Sequence, residues 1–136
     1  VTRTLADVLD LTEADVLDHL DRQVTVPALA GLQPQGDVIV IPVSATVWDA
    51  SPVPARGVPV VRGENGGNTH LLIGDGPVAW APSPRAGAQT LGEVTVPDGS
   101  VGYLLHPEHG AAGIAPGTYV IRRQREQADE IRLVAD

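Results

Sequence analysis

Four consecutive residues, His106-Pro107-Glu108-His109, set two imidazoles and a carboxylate around one proline. Imidazole nitrogen and carboxylate oxygen form the usual oxygen/nitrogen donor set of zinc and other divalent first-row metals. In a turn, a spacing of three can aim both imidazoles at one point. His70 opens a strand after a Gly-rich turn and is the natural third ligand. Glu108 would be the fourth, or the acceptor that fixes a histidine tautomer. Three protein ligands with an open position would activate a bound water. The expected cofactor of such a site is a divalent metal, zinc before the others. The alternative is a polar turn whose histidines bond only to backbone. His19 lies among acids on a helical stretch and reads as a solvated surface residue.

A second polar cluster is Arg122-Arg123-Gln124-Arg125-Glu126. On a strand, Arg123 and Arg125 share one face, and Arg122, Gln124 and Glu126 share the other. Arg122, Arg123 and Arg125 are candidates to bind an anion, or to receive an acidic segment of this or another chain. Cross-strand ion pairs on an exposed sheet face are the competing reading. The Gly-rich stretch Gly63–Asn68 lacks the Lys-Ser/Thr of a phosphate loop and opens no helix. No Gly-x-Ser-x-Gly nucleophile motif is present.

The elements that must position these residues are mostly strands. Val38–Val43 is a continuous apolar run of strand length, expected to be buried on both faces. Ala45–Trp48 extends it or forms the next strand, and Pro52 and Pro54 make residues 50–56 a loop or edge. Val58–Arg62 and Thr69–Ile73 flank the Gly-rich hairpin loop. Further strands are expected over 77–81, 90–96, 101–105, 118–126 and 131–134, with His106–Gly113 as a loop. About eight strands with no helices between them predict a mainly β domain, an antiparallel barrel or sandwich, over residues 36–136. A closed barrel would also remove exposed edges.

Residues 1–35 read as an acidic helical arm and linker. Thr4-Leu5-Ala6-Asp7 and Thr12-Glu13-Ala14-Asp15 both have capping-box spacing, so two short helices or one broken helix are expected. Asp7, Asp10, Glu13, Asp15, Asp18 and Asp21 make the arm acidic. Its narrow apolar stripe needs something to cover it. A partner or sister subunit, met through the arginine cluster, is one candidate.

Composition bounds the rest. The chain of 136 residues is one domain by size. It has no Cys, Met or Phe, so branched aliphatics with two Trp and two Tyr must fill the core. Fifteen Gly and twelve Pro fit short elements joined by tight turns. A net charge of −8 disfavours nucleic acid as a partner. No apolar run is long enough for a membrane span, and the acidic N-terminal region is unlike a secretory leader, so the cytoplasm is the expected compartment. All nine basic residues are Arg.

The pattern His106-Pro107-Glu108-His109, then Ile114-Ala115-Pro116-Gly117-Thr118-Tyr119, then Arg123-Gln124-Arg125-Glu126, together with Gly36-Asp37-Val38 and His70, resembles a group of small uncharacterised bacterial β proteins. The resemblance spans residues 36–136 and implies no nameable activity. Strands, histidines and Pro-Gly turns are loosely similar to cupins, which would imply a metal-dependent enzyme. The His-x-His and later Glu of the first cupin motif are missing here. In size and lack of Cys the chain also resembles phage capsid decoration proteins, which would imply a virion location. Two functions follow as expectations. The first is a non-enzymatic binding or assembly module that docks on a protein partner or on itself. The second is a cupin-like metal enzyme centred on His70, His106, Glu108 and His109.

Overall fold

The computed structural model describes residues 2–12, 14–17, 20–61, 69–85 and 87–124. The molecule is a sandwich rather than a closed barrel. One sheet has six strands in the order β4 (Gln33–Gln35), β5 (Val38–Pro42), β13 (Gly117–Arg123), β10 (Thr90–Val96), β9 (Ala79–Pro82) and β6 (Ser51–Pro52). The other has five: β3 (Ala28–Leu29), β12 (Gly110–Ile114), β11 (Val101–His106), β8 (His70–Asp75) and β7 (Val58–Val61). All pairings are antiparallel except β3 with β12, which is parallel. Eight of these strands are four or more residues long. The expected strand at 131–134 lies outside the described residues.

Alternation places the core. Val38 and Val40 on β5 face Leu72 on β8 and Leu104 on β11, with Trp80, Val94, Tyr119 and Ile121 filling the space between the sheets. Each fully buried aliphatic side chain here stabilises the fold by about 2 kcal/mol. The run Val38–Val43 was expected to be buried on both faces, and its strand spans Val38–Pro42. Instead it alternates, with Ile39 and Ile41 half-buried on the outer face. The inner face alone meets the second sheet.

The five-stranded sheet is buried on both sides. Ile73, Tyr103 and Leu105 point away from the inter-sheet core, and the N-terminal segment covers them with Leu5, Val8, Val16 and Val26. The segment is held by β1 (Arg3–Thr4) pairing with β2 (Thr25–Val26), and by Arg3 Nε donating to Asp75 Oδ2 at 2.7 Å. Leu5, Val8, Val16 and Val26 therefore pack on this chain's own sheet, while Leu17 and Val24 are exposed. The first capping box forms: Thr4 Oγ1 accepts from Asp7 N–H, Asp7 accepts from Thr4 N–H, and α1 (Leu5–Leu9) follows. The second does not start a helix at residues 14–17. The Thr12 hydroxyl donates to the Arg56 carbonyl, and Asp15 is taken by Val16 N–H and Arg22. The hydroxyl that would cap is taken by a tertiary partner, and the acid by neighbours in its own segment.

Ala45–Trp48 is not a strand. Residues 43–50 form a strap that carries the chain from β5 across the outer face of the six-stranded sheet to β6 on its far edge. Val43 anchors one end on Thr118 through two hydrogen bonds. Midway, the Glu93 carboxylate accepts from the N–H groups of Val47 and Trp48 at 2.8–3.0 Å. The stretch 106–113, expected as a loop, is a tight hairpin into β12.

Strand β3 runs so close to β12 that a Cβ at Gly113 would strike the Pro27 carbonyl oxygen. A Gly113→Ala substitution is expected to lift β3 and cost about 1–3 kcal/mol. Gly31→Ala, which meets nothing within 4 Å, should stay within about 0.5 kcal/mol of the parent. Urea unfolding of both variants tests the packing; equal stabilities would refute it.

Candidate functional site: a buried imidazole cluster

The three histidines expected to converge do lie together, at one end of the sandwich. Strands β8 and β11 are neighbours with Leu71 opposite Leu105, so His70 and His106 stand side by side at the next position, facing inward. Both are buried, at 2% and 5% exposure. Their rings are 4.4 Å apart between centroids. The β11–β12 turn brings His109 back over His106, with centroids at 4.6 Å. His109 itself is exposed and lies on Gly36, whose φ of +56° lets the backbone pass beneath the ring. Glu108 is exposed, and its part in the hydrogen-bonding of the cluster is its backbone N–H.

The hydrogen bonds assign the protons. Gln35 Nε2 donates to the Leu104 carbonyl at 2.7 Å and the Gly110 carbonyl at 3.4 Å. The opposite amide orientation would set its oxygen against two carbonyls, so Oε1 is the atom that faces His70 Nδ1 at 3.0 Å. His70 Nδ1 therefore carries a proton. His106 has the opposite tautomer: its Nδ1 accepts from Glu108 N–H at 3.1 Å and His109 N–H at 3.2 Å, leaving the proton on Nε2. Both rings are thus neutral and oppositely polarised.

Electrostatics agree with that assignment. Burial, and next the charge His106 would carry, push His70 down to about 4, against a smaller upward pull from Asp37. Burial and then His109 lower His106, opposed by Glu108 and Asp37.

This geometry bears on ligation. His106 has committed its Nδ1 lone pair to backbone donors and its Nε2 to a proton. To bind a metal it would have to release one or the other. Among the described residues, no group of three or more His, Asp or Glu is arranged to hold a metal ion.

Two partners of the cluster were not read from the sequence. Gln35 is one, and Gln33 beside it donates to the Gly113 carbonyl at 2.7 Å. Their i, i+2 spacing around Pro34, inside an uncharged run, was the available signal for two amides on one inward face. Asp37 is the other; it sits one residue beyond Gly36 and faces the imidazoles electrostatically. Of the arginines, Arg122 lies on β13 opposite Thr90 and Ile39, and Arg123 lies opposite Val38. Arg125 lies outside the described residues. The end of β13 abuts the cluster through Gln124, whose Nε2 donates to the Gly36 carbonyl at 2.5 Å.

A two-sheet domain with polar side chains plugging one end is in class a small β-sandwich. Residues 34–124, which hold the imidazole cluster and both sheets except β3, match the family described as a domain of unknown function (DUF8820), and the chain belongs to that family. No curated protein and no solved structure matches the chain. Among the described residues no helix is long and apolar enough to cross a membrane.

Replacing Gln35 with Leu keeps the volume but leaves two carbonyls and the His70 N–H without their partner. The expected loss is about 3 kcal/mol by urea unfolding. A loss below about 0.5 kcal/mol would show that the amide bridges nothing.

The cluster also sets a pH dependence. The His70 pKa in the fold is below its unfolded value of 6.5, so the unfolded chain binds the extra proton. Its stabilising contribution is complete above about pH 6.5 and is lost as pH falls toward about 4, amounting to about 3 kcal/mol. Unfolding measured from about pH 7 down to about pH 5 should show falling stability, and His70→Gln should flatten that slope. An unchanged slope in the variant would remove His70 as the cause.

Proposed function

We propose that this protein is a non-enzymatic assembly module that pairs with a second copy of itself along the edge of the five-stranded sheet. The observation that carries this reading is the segment Pro27–Leu32. All six residues are exposed, including Leu29 at 45% and Leu32 at 59%. Among the described residues strand β3 pairs only with β12, and its other side is unpaired. An exposed apolar edge is a template for strand addition.

Charge favours a second copy as the occupant. The chain carries −8 overall, yet no charged residue occurs from Gln23 to Gly36. Two copies can therefore meet here without bringing acidic side chains together. An antiparallel contact of β3 with its own copy is self-complementary, as a two-fold interface requires. The edge is short, so the expected contact is a weak, reversible dimer below the size of an obligate interface. The N-terminal segment, considered above as a docking arm, already spends its apolar side on its own sheet, so the interface is placed elsewhere. The metal-enzyme alternative has less support, because the His106 nitrogens are committed.

Sedimentation equilibrium across a range of concentrations should show monomer and dimer in exchange. A Leu29→Asp/Leu32→Asp variant should shift the equilibrium to monomer by about tenfold or more while unfolding like the parent. A parent chain that stays monomeric at every concentration, or a variant that dimerises equally well, overturns the reading.

A further inference from the structure

On the opposite sheet, the strap held by Glu93 places Trp48 beside the loop between β9 and β10. Together they frame an open groove of about 440 Å³, lined in part by Trp48, Ser83, Arg85, Gln89 and Thr90. That volume is within the range of roughly 300–1,000 Å³ common for small-ligand sites. Of the two indoles, Trp80 is core, at 6% exposure, whereas Trp48 is half-buried and fronts the groove.

The groove is built rather than incidental. Glu93 is 3% exposed, and its carboxylate is spent on the backbone of Val47 and Trp48. A buried carboxylate is costly unless fully bonded, and here it fixes the residue that forms one wall. The opposite wall is tied at both ends. Ser83 N–H donates to the Leu91 carbonyl at 2.8 Å, and Arg123 N–H donates to the Gln89 carbonyl at 2.9 Å. Arg85 N–H donates to Ser83 Oγ within the loop.

One cation lines this groove, and a second lies beside it on the neighbouring strand. Arg85 is exposed and enters no ion pair among the described residues, in a chain whose acids outnumber its bases. Arg122 is the direct cross-strand partner of the groove residue Thr90. Its Nε is buried and has no hydrogen-bond partner among the described residues. A register shift between Thr90 and Gly92 sets this pair apart from the regular ladder at that end of β10.

We propose that this groove binds an acidic saccharide. The indole of Trp48 offers a platform for the apolar face of a pyranose ring, the amphipathic use to which half-exposed Trp is suited. Ser83, Gln89 and Thr90 supply hydroxyl and amide groups for the ring hydroxyls. Arg85 supplies guanidinium donors for the carboxylate, and Arg122, across the ladder from Thr90, adds positive charge beside it. An aromatic acid would use the indole and the arginines but leave the three neutral hydrogen-bonding side chains idle. The inference concerns a different face from the self-association edge, so either reading can fail without the other.

The test uses the full chain titrated with oligogalacturonate and, separately, with its methyl ester, which keeps the rings and removes the charge. Tryptophan emission and titration calorimetry provide the readouts. Oligogalacturonate should give saturable binding. The ester should bind about tenfold or more weakly, and Arg85→Gln should lose a similar factor. Trp48→Ala should abolish the heat of binding; should that variant fold poorly, the exposed Arg85→Gln still decides. Absence of saturable binding, equal binding of the ester, or unchanged binding by Arg85→Gln overturns the proposal. So does sulfate alone binding as tightly as the oligosaccharide.

Discussion

One side-chain amide joins three parts of this molecule. Gln35 stands on the edge strand of one sheet and reaches across to the carbonyls of Leu104 and Gly110 on the other, while its oxygen takes the proton of His70. Buried carbonyls need donors. Leu104 and Gly113 lie on β11 and β12, interior strands of the facing sheet, and Gln33 and Gln35 reach their carbonyls from the edge strand β4, tying one sheet to the other. Because an amide offers both donors and an acceptor, the same group can close the sandwich and set a histidine tautomer.

That choice explains the character of the imidazole cluster. His70 and His106 are inward-facing residues at the ends of two neighbouring strands, where the apolar core gives way to the turn. They are buried, neutral and packed with their rings tilted by 42°, and each ring has a partner that determines where its proton sits. The price of this arrangement is sensitivity to acid, since a proton added to either ring finds low solvation and a second imidazole close by. A cluster of histidines that looks chelating in sequence is here a hydrogen-bonded plug. Turning it into a metal centre would mean giving up the backbone donors of Glu108 and His109.

The two sheets are covered by different means. The five-stranded sheet is backed by the N-terminal segment, which makes β11 buried on both faces. Among the described residues the six-stranded sheet is crossed by the strap of residues 43–50, held by one buried carboxylate. Two open surfaces among the described residues are an uncharged apolar edge at Pro27–Leu32 and a polar groove beside Trp48. Each sits where a covering element ends. This is why the interaction surfaces proposed here lie at the margins of the fold rather than at the histidines.

Much of the architecture was legible in the sequence. Alternating branched aliphatics, Pro-Gly and Asp-Gly turns and the first capping box are local signals, and each gave its element because nothing distant competed with it. The convergence of His70 with His106 and His109 was also readable, as a consequence of β8 and β11 being neighbours. Other features were decided only by tertiary contacts. The second capping box lost Thr12 to Arg56, a distant partner no local pattern could weigh, and Asp15 to Val16 and Arg22 within its own segment. Ala45–Trp48 had strand composition, but Glu93, more than forty residues later, took its N–H groups. The histidines that open this sequence as ligand candidates have the right elements and spacing. Which lone pairs remain available depends on the donors around each ring, and those donors come from β4 and from the turn's own backbone. Residue type and spacing determine which groups can meet, whereas hydrogen-bond competition in the folded chain determines what each group is free to do.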